Sequence, residues 1–176
     1  VPDFKVLPAE DLPLGIDSAT SFTSVCFNTP IYLSYLVSQC VKNGVVLRNV
    51  TLSHISDAAS LHHSGTRAQV IVNCTGLLAC KLGGVMDKNL IPIRGQVVHV
   101  RNDPGVMVST SGTDDGEDEI CYVMTRALGG GTVLGGTYQK DNWDPKPSTQ
   151  QASRIMKRAV EMCPELTGGK GVEALD

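Results

Sequence analysis

The chain has 176 residues, 41% of them hydrophobic, and a formal net charge of -3 at pH 7. This length is typical of a single domain, and the apolar fraction can supply a core. The acidic balance argues against a nucleic-acid-binding protein, and no apolar stretch approaches the ~20 residues of a membrane-spanning helix. The chain begins at Val1 rather than Met, and it ends at Asp176 directly after a run that is typical of the start of a secondary-structure element. We therefore expect it to be an internal part of a longer protein.

The first half of the chain is predicted to contribute to a parallel sheet. After an irregular stretch and a short strand at 21–26, Thr29 is expected to cap a helix that ends near Gly44. Two apolar runs follow, Val45–Val50 and Val70–Val72, with a polar segment between them. Their apolar residues are continuous rather than alternating, which is typical of parallel strands buried on both faces.

After Pro92 the pattern changes to longer strands without helices between them, which indicates an antiparallel sheet. A last helix has Ser148 and Gln151 in capping-box spacing and ends at Pro164. The predicted strands are Gly95–Val100, Cys121–Arg126 and Thr132–Gln139. We therefore predict an α/β protein, α+β overall, in three stretches: residues 1–91 with the parallel sheet, 92–147 with the antiparallel sheet, and 148–176 returning to the first domain.

The six cysteines form no C-x-x-C pair, and we interpret them as reduced, buried thiols of an intracellular protein. The four histidines show no metal-ligand spacing. The acidic run at 114–119 lacks the ordered spacing of a calcium loop, so a solvated loop is the simplest interpretation, with a mobile lid as the alternative. No metal site is predicted.

Two stretches near the proposed domain boundary could bind a ligand or join the domains. In Val70–Gly76 a strand ends in small residues, where open α/β sheets bind nucleotides. Thr75 offers a hydroxyl and an amide there, and Gly76 permits close approach, although an ordinary turn explains the pattern equally well. Arg94, in the second stretch, is interpreted as a structural ion-pair partner rather than a catalytic group.

Two tyrosines flank a glycine-rich hairpin turn at Leu128–Gly131. If the turn centres on Gly130, Tyr122 lies opposite Tyr138 on one face of the sheet. Two phenols could then hold a carboxylate, and Gly135–Gly136 would leave room for a ligand against the strand. An aromatic pair in the core is the simpler interpretation of the geometry alone.

Taken together and in order, five motifs resemble those of the D-amino-acid oxidase family, particularly its yeast members. The resemblance runs from about Ser21 onward, and the motifs are Val70–Gly76, Pro92–Val97, Tyr122–Met124, Gly135–Tyr138 and Asn142–Trp143. It implies an FAD-binding domain followed by a substrate domain. The implied reaction oxidises D-amino acids with oxygen to 2-oxo acids, ammonia and hydrogen peroxide.

By this resemblance, Val50, Thr75 and Gly76 approach the FAD, while Tyr122 and Tyr138 hold the substrate. The resemblance assigns no catalytic acid or base to this chain. It also implies a peroxisomal or otherwise cytoplasmic protein, a homodimer, and no nucleic-acid or membrane partner. The family's glycine-rich loop and its carboxylate-pairing arginine are missing from this sequence, so we expect the isolated chain to be inactive.

Two alternatives to this function stay open. A D-aspartate oxidase of the same family would need a further cation for the second carboxylate, and Arg126 is one candidate. A non-catalytic ligand-binding domain could use the same fold, since fold alone does not determine function.

Overall fold

The computed structural model describes residues 1–111 and 116–176. It contains two α-helices and eight strands within those ranges. The helices are α1 (Thr29–Lys42) and α2 (Thr149–Met162). The strands are β1 (Lys5–Val6), β2 (Thr20–Ser21), β3 (Ile93–Arg94), β4 (Val97–Val100), β5 (Val108–Thr110), β6 (Glu119–Thr125), β7 (Thr132–Thr137) and β8 (Gln139–Lys140). The mixed α/β class is thus confirmed. No helix in the described ranges has the length and apolarity to cross a bilayer.

Helix α1 forms where the sequence predicts it, but it starts one residue earlier than expected. Asn28 occupies the N-cap position, and Thr29 is the first helical residue. Proline lies in the first turn, where its missing N–H costs no helical hydrogen bond. Gly44 follows the helix with φ of 83°, as a glycine that ends a helix commonly does.

The parallel sheet expected in residues 1–91 is not formed among the described residues. The runs Val45–Val50 and Val70–Val72 are exposed and contain no assigned strand. The parallel pairing found there is an isolated bridge between His54 and Gly83. A strand requires neighbours that pair with its N–H and C=O groups, and no described strand lies beside either run. This part of the prediction therefore has to be corrected.

The antiparallel sheet predicted for the second half is confirmed. Four strands pair in the order β4-β7-β6-β5, and β3 pairs with β8. The β6–β7 register places Tyr122 opposite Gly135, so the predicted pairing of Tyr122 with Tyr138 is wrong.

The register differs because the hairpin turn is centred on other residues than expected. Leu128 and Gly129 have φ of 58° and 68°, and the Gly130 N–H donates to the Ala127 carbonyl over 3.2 Å. Two successive positive φ angles are what a type I′ hairpin turn requires. The turn thus lies at Leu128–Gly129 rather than at Gly130.

Helix α2 covers one face of this sheet. Ser148 is its N-cap, and the Ser148 side chain accepts a hydrogen bond from the Gln151 N–H over 3.3 Å, as the capping spacing predicted. The apolar face of α2 packs on alternate residues of the strands. The buried cluster consists of Val100, Val123, Leu134, Ile155, Ala159, Cys163 and Leu166.

The cysteines differ in part from the expectation of six buried thiols. All six are free, but only Cys121 and Cys163 are buried. Cys80 is half-buried, and Cys26, Cys40 and Cys74 are exposed.

Candidate functional site

The face of the sheet opposite α2 presents Tyr122 in a row of cross-strand partners. Val97 pairs with Gly135, Gly135 with Tyr122, and Tyr122 with Ser109. Directly paired residues share a face, so these four positions lie on the same side of the sheet. Val97 and the neighbouring Met124 remain 47% and 45% exposed, so this face is open at its centre.

The ring of Tyr122 lies directly against the backbone of Gly135. A Cβ atom added at Gly135 would come within 1.8 Å of Tyr122 Cζ and within 2.3 Å of both Cε atoms. No side chain larger than hydrogen fits at this position. The space that the sequence suggested for a ligand at Gly135 is therefore occupied by the phenol ring itself.

The hydroxyl of Tyr122 is positioned to donate a hydrogen bond. It lies 3.3 Å from the point where a Cβ of Gly136 would be, at the rim of the half-buried ring. Burial raises the pKa of Tyr122 above its ordinary value of 10.0, so the phenol keeps its proton at neutral pH. No protein group accepts that proton among the residues that the structure describes, which leaves the hydroxyl available to a ligand.

Tyr138 is not brought against Tyr122. It follows β7, is 44% exposed, and its N–H donates to the Asp118 carbonyl over 2.6 Å. The described part of the chain has no ring contact between the two tyrosines. They therefore do not form the cross-strand pair that the sequence suggested.

Arg94 is a structural centre, although it does not act through the ion pair that was expected. Its guanidinium donates hydrogen bonds to neutral oxygens, and within residues 1–111 and 116–176 it forms no ion pair. The acceptors are the carbonyls of Asp144 (2.8 Å) and Lys146 (2.5 Å) and the side chains of Gln96 (3.1 Å), Gln139 (3.0 Å) and Gln151 (3.1 Å). With its donors engaged, Arg94 holds β3, β8 and α2 together.

A cavity of about 450 Å³ lies beside Arg94. Trp143 and several prolines form much of its wall, and Lys81 Nζ lies 5.4 Å from the centre of the Trp143 ring. That distance is within the range of a cation–π contact. The cavity is separate from the hydroxyl of Tyr122, which is not among its lining groups.

The three residues proposed to approach a cofactor are all exposed. Thr75 forms a local turn in which its N–H and its hydroxyl both donate to Asn73 Oδ1, at 3.2 and 2.8 Å. Gly76 has φ of 61°, and no atom lies within 4 Å of the position of a Cβ there. Within the described ranges no hydrogen bond joins Val50 to Thr75 or Gly76. A dinucleotide could approach closely at Gly76, so this segment fits one edge of a cofactor site.

The structure also contains a buried ion cluster that the sequence reasoning missed. Glu119, only 6% exposed, accepts hydrogen bonds from Arg154 at 2.8 Å and Arg158 at 2.7 Å. One signal for it was present in the sequence. Glu119 has the same parity along β6 as the core residues Cys121 and Val123, and the two arginines are four residues apart on α2.

Two further predictions concern the acidic run and metal binding. Asp114 and Asp115 lie outside the described residues. Of that run, Glu117 and Asp118 line a second cavity of about 300 Å³ together with Gln151 and Arg154. The described residues contain no group of three or more metal-ligating side chains.

Comparison with known proteins gives consistent matches over nearly the whole chain. The family model described as DAO, FAD dependent oxidoreductase, matches residues 4–174. A D-amino-acid oxidase of Fusarium vanettenii is 52% identical over 168 residues, covering 96% of this chain and 46% of that protein. A D-amino-acid oxidase of Schizosaccharomyces pombe is 36% identical over 176 residues, covering 100% and 49%.

A relative named for a different substrate also matches. A D-aspartate oxidase of Cryptococcus neoformans var. grubii is 41% identical over an alignment of 178 residues, gaps included. This alignment covers 94% of this chain and 44% of that protein. The chain thus spans about half the length of the curated relatives it matches.

Proposed function

Because the chain belongs to the family of FAD dependent oxidoreductases described as DAO, we propose that it is part of a D-amino-acid oxidase. The overall reaction consumes a D-amino acid, oxygen and water, and it yields a 2-oxo acid, ammonia and hydrogen peroxide. FAD, when bound, would supply the redox chemistry, which is hydride acceptance from the α-carbon and reoxidation by oxygen. The chain itself contributes binding and orientation.

The observation that supports this role most directly is the placement of Tyr122. Its phenol is half-buried on the open face of the sheet, protonated, and without an acceptor among the described protein groups. A hydroxyl in this setting donates to a substrate carboxylate, and the partly desolvated surroundings strengthen that bond. Val97 and Met124, on the same face, offer apolar surface to the substrate side chain.

Tyr138 is proposed as a second substrate contact. Its exposed side chain lies at the end of β7, and the β6–β7 register does not pair it with Tyr122. We therefore assign it to the rim of the pocket rather than to the carboxylate site at the Tyr122 hydroxyl. No acid or base of this chain is required for catalysis.

The cofactor edge is proposed to consist of Val50, Thr75 and Gly76, which would contact the FAD. Gly76 allows close approach, and the Thr75 hydroxyl oxygen can still accept a hydrogen bond. The sequence contains no G-x-G-x-x-G after a strand, so the pyrophosphate must be held elsewhere. On this basis we assign residues 1–91 and 148–176 to the FAD-binding domain and residues 92–147 to the substrate domain.

The proposal is tested with the protein of the complete reading frame, purified with its flavin. We expect D-alanine, but not L-alanine, to bleach the flavin and to produce hydrogen peroxide. Tyr122→Phe removes one donor to the substrate carboxylate, so it should raise KM by about tenfold while flavin reduction stays measurable. A Tyr35→Phe variant on exposed α1 is the matched control. Loss of flavin in Tyr122→Phe would show that Tyr122 is not in the substrate pocket.

Substrate preference separates this proposal from two others. A D-aspartate oxidase needs a second cation in the pocket, and half-buried Arg126 lies just beyond the end of β6. Faster oxidation of D-aspartate than of D-alanine would favour that reading, and Arg126→Leu would then abolish the preference. A protein that binds carboxylates but oxidises neither substrate would be a ligand-binding member of the fold.

Location and assembly are proposed from the family resemblance. The protein is expected in peroxisomes, which a C-terminal S-K-L-type signal in the complete reading frame would support. A homodimer is expected as well. Fractionation of cells and light scattering of the purified protein test these two proposals separately.

A further inference from the structure

A bulge interrupts the ladder between β6 and β7 directly beside Tyr122. Glu119 pairs with Thr137 and Tyr122 with Gly135, so Ile120 and Cys121 together face the single residue Gly136. At a bulge the ladder is disrupted, and main-chain groups there need other partners. This bulge lies at the point where the ring of Tyr122 rests on the glycine pair.

Arg158 of α2 reaches this bulge from the opposite face of the sheet. Its Nη2 lies 2.7 Å from Glu119 Oε2, 3.4 Å from the Gly136 carbonyl oxygen and 3.5 Å from the Ile120 carbonyl oxygen. It also contacts Cys121, where its charge opposes the rise in pKa that burial causes. The Arg158 side chain is only 10% exposed, so water contributes little to these contacts.

Arg154 shares the carboxylate but not the bulge. It binds Glu119 Oε1 at 2.8 Å, its side chain is 37% exposed, and it forms no hydrogen bond to Ile120 or Gly136. The two arginines of α2 therefore differ in the groups they bind. Both bind the buried acid, while Arg158 alone also contacts both strands across the bulge.

We propose that Arg158 is a positioning residue. By donating hydrogen bonds to the carbonyl oxygens of Ile120 in β6 and Gly136 in β7, it fixes the position of the Tyr122 phenol above the sheet. The connection is short. The Gly136 carbonyl binds Arg158 on the α2 side of the sheet. On the other side, a Cβ added at Gly136 would lie 3.3 Å from the Tyr122 hydroxyl, and the Tyr122 ring lies against the backbone of adjacent Gly135. This inference rests on the proposed role of Tyr122 in binding a substrate carboxylate.

The test uses the flavin-loaded protein of the complete reading frame and propionate, which is D-alanine without its amino group. Binding is followed by the change in flavin absorption. Arg158→Met should raise the Kd of propionate and the KM of D-alanine about tenfold, within the range that coupling between contacting residues reaches, while kcat changes less than about twofold. Arg154→Met is the matched control, and its Kd should change less than about twofold although it also loses a bond to Glu119.

A double-mutant cycle distinguishes positioning from general loss of structure. If Arg158 acts through the phenol, the effect of Arg158→Met on the Kd of propionate should almost vanish in a Tyr122→Phe background. Arg158→Lys keeps the charge beside Glu119 but lacks the planar fork, so its Kd should fall between those of wild type and Arg158→Met. This variant also serves if Arg158→Met does not fold.

Two results would overturn the inference while leaving the proposed function intact. One is an equal rise in Kd for Arg154→Met and Arg158→Met; the other is an undiminished effect of the arginine variants when Tyr122 is phenylalanine. A wild-type protein that binds no propionate and oxidises no D-alanine would instead reject the proposed function, and this inference with it.

Discussion

Residues 1–91 and residues 92–176 of this chain bury their apolar side chains very differently. In the first region α1 has no buried residue, and the buried apolar side chains are Ala59, Ala79 and Leu82. In the second region α2 and the four-stranded sheet enclose a continuous core. The α-helix forms in both regions because its hydrogen bonds are local. The apolar runs of the first region form no strands, because a strand depends on a neighbouring one.

The first prediction contrasts a core residue of the second region with an exposed leucine of α1. Leu134 is fully buried, so Leu134→Ala should cost about 3 kcal/mol through lost burial and the cavity left behind. Leu36 is 39% exposed, and Leu36→Ala should cost less than about 1 kcal/mol. Urea denaturation of the 176-residue chain measures both. Equal losses would mean that α1 is buried in solution.

The second prediction concerns the contact between Tyr122 and Gly135. Gly135→Ala places a methyl group inside the ring, so the variant should lose about 2 kcal/mol of unfolding free energy, a typical cost of overpacking. In a Tyr122→Ala background the methyl group has space, and most of this loss should disappear. Thermal denaturation of the four proteins measures the coupling. A loss unchanged by Tyr122→Ala would place the strain elsewhere.

The smallest expected effect is the pH dependence contributed by Tyr122. Since burial raises its pKa above 10.0, the folded protein retains the proton that the unfolded chain releases at high pH. The contribution to stability is therefore complete below pH 10 and declines as the pH rises above it. Between pH 8 and pH 11, wild type should lose more unfolding free energy than Tyr122→Phe. Both proteins share the buried Cys121 and Cys163, which cancel in this comparison. An identical decline would mean that the phenol is solvated.

Several features were predictable because the information lies close together in the sequence. The spacing of Ser148 and Gln151 marked the start of α2, and the helical periodicity of Ile155 and Ala159 marked the face that contacts the sheet. Longer strands without helices between them after Pro92 indicated the antiparallel sheet. The order of the motifs indicated the family, which the matches over residues 4–174 confirm.

The hairpin register and the cluster behind it could not be predicted in the same way. Three successive glycines permit several turn positions, and the turn used places Leu128, which is not a glycine, at a φ of 58°. That choice moves the partner of Tyr122 from Tyr138 to Gly135. The bonds of Glu119 join residues 35 and 39 positions apart, and nothing local specifies such a pairing.

The amino-acid sequence by itself determined the family, the two helices, the antiparallel strands and the identity of the tyrosines. These depend on local periodicity, caps and motif order, which can be read along the chain. Only the tertiary structure decided which residue lies beneath Tyr122, that Arg158 contacts both strands at the bulge, and that Arg94 binds neutral oxygens. Those outcomes depend on which of several competing sets of long-range contacts has the lowest free energy. Local sequence patterns do not rank these sets, whereas the folded structure shows which one forms.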